Sequence, residues 1–290
     1  MRFLVGICLL ALSAGVVLEA AEQQGSRLQG TLAYVRLTQG TWQVWQKDLA
    51  TGVQKQITAI SADKRVPTWT QDGQITYCTT NQSCFQIRPG EQGSEPLLSD
   101  LWPVRDVAWS PDGATLAFSR FRTDIVDSAN IWVADASGEN RRMLTQDSGI
   151  QQQPAWSPSG AQIAFSAGQG YGTYEIYVIN ADGSNRRRLT NNTTHDFLPA
   201  WSPDGTQIAW SSDATGDYEI WVMNADGGNA RQLTNARGLD TRPCWSPDGR
   251  FIAFGTNRSG TLEIWVMNAD GTNPQLLEKS AGGASDPAWR

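Results

Sequence analysis

The chain has 290 residues, of which 40% are hydrophobic and 18% are charged, so it can bury a sizeable core as one large or two ordinary domains. Its formal net charge of −6 at pH 7 argues against a nucleic-acid-binding surface, which needs a basic stripe to neutralise phosphates. The 13 Trp and 28 Gly residues, with little helical patterning beyond the N-terminal segment, favour many strands and tight turns.

The N-terminal segment, residues 1–21, is predicted to be a signal peptide. Arg2 supplies a positive charge, residues 3–18 form an apolar run, and Ala20 and Ala21 are small residues suited to a cleavage site. An uncleaved membrane anchor is the alternative, because the apolar run falls just short of a comfortable membrane span. Either way we expect the rest of the chain to be periplasmic or secreted, with residues 22–27 as a short linker to one domain at 28–290.

Cys78 and Cys84 flank the sequence TTNQS, which has the composition of a hairpin loop. An exported protein occupies a compartment where a disulfide persists, so these two residues are candidates for a bridge. Two unlinked thiols at strand ends are the alternative. Cys244, in an apolar context before Trp245, is interpreted as a buried thiol.

A repeat dominates the chain from residue 69 onwards. WTQDG begins at Trp69, WSPDG at Trp109, WSPSG at Trp156, and WSPDG again at Trp201 and Trp245, with a last Trp at 289. From Trp69 to Trp109 is 40 residues, and from Trp109 to Trp156 is 47. Because these Trp residues recur at one strand register, we expect them to pack in the core rather than to form sugar platforms.

Residues 199–234 show the repeat most fully, as PAW, SPDG, TQIAWSS, DATGD, YEIWVMN, ADGG and NARQLT. The apolar runs are of strand length and are bounded by Gly, Pro, Asp and Asn, which is typical of antiparallel strands joined by turns. Pro at the second position of SPDG presets a β-turn, and Gly closes it. Each unit is therefore a four-stranded meander, with strands a to d, and a ring of such units is an all-β propeller.

The two ends of the domain are complementary fragments of one repeat. Residues 31–37, 42–49 and 53–58 match strands b, c and d but have no strand a before them, whereas 286–289 match strand a alone. We therefore predict that 286–289 pair with 31–37 and close a six-bladed propeller of four-stranded antiparallel blades, five continuous and one composite.

The combination of PAWSPDG with EIWVMNADG and RQLT closely resembles the WD40-like (PD40) repeat of the TolB family, and the resemblance extends over residues 28–290. It implies a six-bladed, non-catalytic propeller of the bacterial envelope that binds proteins, in the Tol-Pal system a peptidoglycan-associated lipoprotein, and that needs no cofactor. Proteins of that family carry an α/β domain before the propeller, and we expect none here because only EQQGSR separates Ala21 from the first predicted strand. Partner contacts made through that domain are not carried over.

The a–b and c–d turns are nearly identical between repeats, whereas the b–c and d–a loops on the opposite face vary, and variable loops on a rigid frame commonly carry function. Mixed charge with some aromatic residues suits a protein or peptide ligand at the mouth of the central channel. An ordinary solvated rim is the alternative for each residue. The candidate binding residues on this face are Asp63, Arg65, Trp102, Arg105, Gln152, His195, Asp196, Phe197, Asp240, Arg242 and Asp286.

A glycan-binding or polysaccharide-processing propeller is the alternative function, based on Trp102, Phe197 and the acidic residues. Asp196 with Asp240, or Asp106 with Asp286, are the candidate carboxylate pairs for such chemistry or for a cation. With His195 as the one histidine, a His-rich metal site is excluded, and we predict no metal and no catalytic residue.

Overall fold

The computed structural model describes residues 28–59, 61–124, 128–168 and 173–290, so the predicted signal peptide and linker lie outside the described residues. It is an all-β propeller of four-stranded antiparallel blades. No helix within the described ranges is both long enough and apolar enough to cross a membrane.

One blade combines strands from the two ends of the chain, and we call it the composite blade. The next blade contains both Cys78 and Cys84, and we call it the cysteine blade. In spatial order the strands of the composite blade are β24 (Ala284–Trp289), β1 (Thr31–Thr38), β2 (Thr41–Asp48) and β3 (Gln54–Gln56). Those of the cysteine blade are β4 (Lys64–Trp69), β5 (Ile75–Thr79), β6 (Cys84–Ile87) and β7 (Glu95–Leu97), followed by a 3-10 turn at Ser99–Leu101.

An eight-stranded sheet follows, in which two meanders are joined by one parallel pair, Ala129 with Ile150. Its first meander is β8 (Val104–Trp109), β9 (Thr115–Phe121), β10 (Ala129–Asp135) and β11 (Arg142–Met143). Its second is β12 (Ile150–Trp156), β13 (Gln162–Gly168), β14 (Tyr174–Asn180) and β15 (Arg187–Arg188).

Two further four-stranded sheets complete the order. The first is β16 (Asp196–Trp201), β17 (Gln207–Ser212), β18 (Glu219–Asn224) and β19 (Arg231–Gln232). The second is β20 (Asp240–Trp245), β21 (Phe251–Thr256), β22 (Glu263–Asn268) and β23 (Gln275–Glu278).

The predicted pairing between the two ends of the domain is present. β24 runs antiparallel to β1, with Leu32 opposite Trp289 and Ala33 opposite Ala288. Beyond the ladder, Thr31 N donates to Arg290 O over 2.6 Å and Arg290 N donates to Thr31 O over 2.9 Å. Strand a of the composite blade therefore comes from the C-terminal end of the domain.

The Ser-Pro-Asp-Gly turns have the predicted β-turn geometry. In the turn at 202–205, Gly205 N donates to Ser202 O over 2.9 Å and Gly205 has a φ of 72°, which suits a residue without a Cβ. The side chains reinforce the turn, since Ser202 Oγ donates to Asp204 Oδ1 over 2.6 Å and accepts from Gln207 N over 2.9 Å. This network explains why Ser and Asp accompany Pro and Gly in the repeat.

The hydrophobic core lies between neighbouring blades. One cluster joins Ala117, Ile131 and Val133 of one blade to Ile163 and Phe165 of the next. The repeated Trp residues pack in or against such clusters, as expected, although several of them are only half-buried. Trp69 and Trp201 are two of the half-buried ones, and both line the cavity of the central channel.

Candidate binding site at the central channel

A β-bulge interrupts the innermost strand of every blade at the same register. Each bulge contains one residue with φ between 48° and 59° that directly precedes Pro or Val. A bulge leaves a residue out of the ladder, which tolerates the missing N–H of Pro. We call these residues the bulge ring: Val66, Asp106, Gln153, Leu198, Arg242 and Asp286.

Positive φ is strained for a β-branched or bulky residue such as Val66 or Leu198. Strained backbone that persists at equivalent positions is a pointer to a functional site. Side chains of the preceding blade hold several of these residues in place through their backbone N–H. Arg242 N donates to Ser211 Oγ over 3.1 Å, and Gln153 N donates to Ser119 Oγ over 3.1 Å. We call these contacts the serine clips.

The bulge ring lines the central channel. Below it, towards the Ser-Pro-Asp-Gly turns, lies a cavity of about 540 Å³ lined largely by Pro, Ala and Trp. Above it, on the side of the variable loops, is a smaller cavity of about 370 Å³, which we call the mouth. The two cavities share four bulge-ring residues, so the ring divides an apolar chamber from a polar mouth. The mouth is lined by Arg65, Val66, Cys78, Thr79, Thr80, Arg105, Asp106, Gln152, Gln153 and Arg242.

The mouth carries an excess of positive charge. Arg242 Nε lies 2.8 Å from Asp286 Oδ1, so these two charges balance. Arg65 is exposed and Arg105 lies over the ring of Phe121 at 4.5 Å, and the described residues place no carboxylate at ion-pair distance from either. Burial raises the pKa of Asp106, against the opposing effect of Arg242 and Arg105. An acidic or polar ligand segment is therefore electrostatically favoured at the mouth.

Four predicted site residues, Arg65, Arg105, Gln152 and Arg242, meet at the mouth. Asp286, also predicted, lies beside Arg242 in the ring. The bulge ring itself was not foreseen as a set, although the residue before Pro in the xPAW pattern carries the signal.

The prediction that Asp196 and Asp240 are exposed binding residues of the variable face is wrong. The two residues are 0% and 1% exposed, so neither offers a surface contact. Asp196 Oδ1 accepts from Trp210 Nε1 over 3.0 Å, and Asp240 Oδ2 pairs with Arg258 Nη2 over 2.6 Å. Buried carboxylates require such partners, and these ones stabilise the first residues of β16 and β20.

The predicted carboxylate pairs, Asp196 with Asp240 and Asp106 with Asp286, do not form, because their members have other partners. Asp196 and Asp240 are each engaged elsewhere, and Asp286 pairs with Arg242 rather than with Asp106. No three His, Cys, Asp or Glu side chains group so as to hold a metal ion in the part of the chain that the structure describes.

Asp63 is another predicted rim residue whose side chain is already bonded. Its Oδ1 accepts from Trp42 N over 2.8 Å, so it ties the d–a loop to the composite blade.

His195 and Phe197 belong to an aromatic cluster on the variable face. Their rings are stacked with centroids 5.7 Å apart, and Phe197 also contacts Tyr174 at 4.6 Å and Tyr218 at 6.3 Å. The two tyrosines were missed, yet the shared YEI sequence that follows both b–c loops could have pointed to them.

Trp102 is 58% exposed and stands apart from the mouth. Its Nε1 donates to Asn81 O over 2.8 Å, which fixes the indole. It lines a separate cavity of about 460 Å³ beside β9 and β10.

Cys78 and Cys84 are joined by a disulfide, so the first of the two sequence alternatives holds. Cys244 is a free thiol, and burial raises its pKa to about 11. Of the two bridged residues, Cys78 lines the mouth.

With the propeller and its channel described, comparison with known proteins defines the class. Residues 92–234 and 191–290 match the TolB beta propeller domain, PD40, which is more than half of the chain. The protein is thus a β-propeller built from PD40 repeats. The chain belongs to the TolB β-propeller domain family.

The Tol-Pal system protein TolB of Anaeromyxobacter dehalogenans is 31% identical over 127 residues, which are 42% of this chain and 28% of that protein. The matched segment thus spans little more than a quarter of that relative. TolB from Acinetobacter baumannii has a TM-score of 0.78 at 22% identity, covering 99% of this chain and 74% of that one.

Oligogalacturonate lyase from Vibrio parahaemolyticus has a TM-score of 0.61 at 14% identity, covering 87% of this chain and 75% of that one. At this identity the likeness shows the fold alone. Because a Tol-Pal protein and a lyase share the architecture, function has to be argued from the residues of the site.

Proposed function

We propose that this protein is an exported, non-catalytic scaffold of the bacterial envelope that binds a segment of another protein at the mouth of its central channel. The observation that carries the proposal is the mouth itself. There the strained bulge ring holds Arg105, Gln152 and Arg242 on a rigid frame above an apolar chamber. Preformed sites of this kind lose little entropy on binding.

The chemistry of the mouth suits an extended peptide with an acidic side chain. Arg65 and Arg105 offer guanidinium groups for a carboxylate, and Gln152 offers both a donor and an acceptor for the peptide backbone. The apolar chamber below the ring would accept a hydrophobic side chain that passes between the bulge residues. The aromatic cluster around Phe197 extends the contact surface on the same face.

The placement in the envelope rests on two supports. The N-terminal segment has the pattern of an export signal, and the curated relatives carry the name Tol-Pal system protein. A periplasmic location and an envelope lipoprotein as the partner follow from that name by analogy. The engagement of Asp196, Asp240 and Asp286 in structural contacts supports a binding role over acid–base chemistry.

The test measures binding to the peptidoglycan-associated lipoprotein of the same cell, by calorimetry and by cross-linking in the envelope fraction. The Arg65→Ala/Arg105→Ala/Gln152→Ala variant should bind at least about tenfold more weakly, because it removes the charged and polar groups of the mouth. A matched control, Arg187→Ala/Arg231→Ala/Gln232→Ala, removes the same residue types from the outermost strands and should bind like the wild type. Equal weakening by both variants would refute the mouth as the site, and capture of envelope glycan without protein would favour the glycan alternative.

We further propose that the blades form a closed ring of six, in which β24 is the closing strand. The eight-stranded sheet then counts as two blades, because a single parallel pair joins its two meanders. Support comes from the β24–β1 ladder and from Trp289, which is 9% exposed and donates through Nε1 to Gln29 O over 2.8 Å.

Deletion of residues 285–290 tests closure. Loss of Trp289 alone is expected to cost about 3–5 kcal/mol, and the ladder is lost as well, so thermal stability should fall steeply. Arg290→Ala is the control, since it removes one side chain at the same end and leaves the backbone pairing intact. An unchanged melting curve on deletion would rule out the closing role of β24.

A further inference from the structure

The cavity beside Trp102 has a composition unlike that of the channel. It is separate from the mouth, and its lining combines aromatic, cationic and amide side chains with two carboxylates, Asp124 and Asp147. Both carboxylates are engaged in ion pairs, Asp124 with Arg122 and Asp147 with Arg186. The cavity volume of about 460 Å³ lies in the range of small-ligand sites. The residues used below are Trp102, Arg120, Asn130, Trp132 and Gln146.

Trp102 presents a fixed aromatic face to this cavity. It is 58% exposed, and the bond from its Nε1 to Asn81 O holds the indole in place while leaving the ring uncovered. A large aromatic side chain that is ordered but open to solvent is a ready stacking surface. Sugar rings present flat C–H faces that match such a surface without needing a deep side-chain pocket.

Arg120 is unusual among the arginines of the blades. A guanidinium lies over the aromatic residue of strand c in four blades, as Arg36 over Trp45, Arg120 over Trp132, Arg186 over Tyr177 and Arg258 over Trp265. Three of them have a carboxylate partner, as shown by the pairs Arg36–Glu278, Arg186–Asp147 and Arg258–Asp240.

Among the described residues no carboxylate lies at ion-pair distance from Arg120, although its charge helps the ion pair of Asp100 with Arg141 to lower the pKa of Asp100. The Cζ of Arg120 lies 5.3 Å from the Trp132 ring centroid, and its strand neighbour is the amide Asn130, at the register where later blades have Glu175, Glu219 and Glu263. The position that supplies an acidic side chain in those three blades thus supplies a neutral one here, as it does at Gln43 opposite Arg36 in the composite blade. A guanidinium held over an aromatic ring and facing a cavity is suited to an external carboxylate.

We propose that this cavity is a binding site for an acidic saccharide. A sugar ring stacks on Trp102, its carboxylate pairs with Arg120, and its hydroxyls bond to the amides of Asn130 and Gln146. The site is independent of the channel mouth, so either can fail without the other.

The test is calorimetric titration with three probes: a trisaccharide containing one uronic acid, the same trisaccharide with that carboxyl reduced to an alcohol, and a peptide with one acidic side chain. The uronic-acid trisaccharide should bind, and reduction of its carboxyl should weaken binding about tenfold or more. Arg120→Gln should weaken binding of the acidic sugar by the same factor and leave the reduced sugar unaffected. This non-additivity isolates the contact between the guanidinium and the carboxylate.

Trp102→Ala should weaken binding of both sugars, and Trp102→Phe should restore most of it because a stacking face remains. Arg88→Gln is the matched control, since Arg88 is an exposed arginine of the cysteine blade that pairs with Asp72 of the same blade, and this variant should bind like the wild type. The proposal is overturned if neither sugar binds at millimolar concentration, or if Arg120→Gln weakens both sugars equally. Preference for the acidic peptide, with the same dependence on Arg120, would overturn the saccharide as the ligand class.

Discussion

The cysteine blade and the blade β16–β19 hold the same hairpin together by different chemistry. In β16–β19, Ser211 lies opposite Ile220 across strands b and c, and Ile220 N donates to Thr234 Oγ1 over 2.9 Å. In the cysteine blade the same cross-strand position is occupied by Cys78 and Cys84, which form the disulfide.

The difference extends to the outer strand and to the next blade. Continuing the strand register of the two blades shows that Leu98 occupies, beside β6, the position that Thr234 occupies beside β18. Leucine has no hydroxyl, so Cys84 N lacks the acceptor that Ile220 N has in Thr234. Ser211 also clips Arg242 of the following blade, whereas the sulfur of Cys78 is committed to the bridge. One covalent bond thus stands where three other blades have two hydroxyl contacts, from Ser119 and Thr145, Ser166 and Thr190, and Ser211 and Thr234. The cysteine blade therefore has no serine clip to the next blade.

Among the changes that test this comparison of two blades, removal of the disulfide is expected to have the largest effect. The Cys78→Ala/Cys84→Ala variant opens a loop with a sequence separation of 6, which corresponds to about 2 kcal/mol of unfolding free energy in the chain-entropy description. Urea denaturation followed by Trp fluorescence measures it.

Treatment of the wild type with reductant is the control and should reproduce the loss, since Cys244 is the remaining cysteine of the described residues and is unbridged. A variant as stable as the wild type would mean that this hairpin does not depend on the bridge.

Thr234→Val tests the hydrogen-bonded blade. The change keeps the shape of the side chain but removes the acceptor for Ile220 N and the donor to Glu219 Oε2, both buried, so a loss of about 1–2 kcal/mol is expected. Thr272→Val, in an exposed turn, is the matched control and should stay within about 0.5 kcal/mol of the wild type. Equal effects of the two variants in chemical denaturation would contradict the role of the buried hydroxyl.

Ser211→Ala tests the serine clip that joins two neighbouring blades. It removes the acceptor for Arg242 N, and the expected loss is about 1 kcal/mol, the net contribution of one buried hydrogen bond. Ser184→Ala, in an exposed turn, serves as the control. A measured loss that matched the control would show that the bulge at Arg242 is stable without its clip.

Much of the fold was predictable because the same strand and turn patterns recur in several repeats of the sequence. The SPDG turns, the pairing of 286–289 with 31–37 and the proximity of Cys78 to Cys84 all follow from local chemistry. Arg65, Arg105 and Gln152 were placed together because the d–a loops lead into the innermost strands.

The bulges explain what was missed. An extra residue in the innermost strand reverses the alternation of faces beyond it, so Asp196 and Asp240 are turned into the interior although their loops read as solvated. The residue types do not predict the positive φ of the bulge ring, since Val and Leu, found at positions 66 and 198, are poorly suited to that conformation. Only tertiary contacts determine that conformation.

The boundary between the cysteine blade and the next blade, which has no serine clip, can be examined through the pH dependence of stability at Asp106. Asp106 is the bulge-ring residue next to the cysteine blade, and burial raises its pKa above the unfolded value of about 4. Folding therefore favours the protonated carboxyl, so its contribution to stability is fully present below pH 4 and is lost as pH rises through the folded pKa. Asp106→Asn, which stays neutral, should have a higher melting temperature than the wild type at pH 7, and the gain should vanish near pH 4. A gain independent of pH would instead assign the effect to packing, and a loss at pH 7 would mean that the ionised carboxylate is stabilised by Arg105 and Arg242.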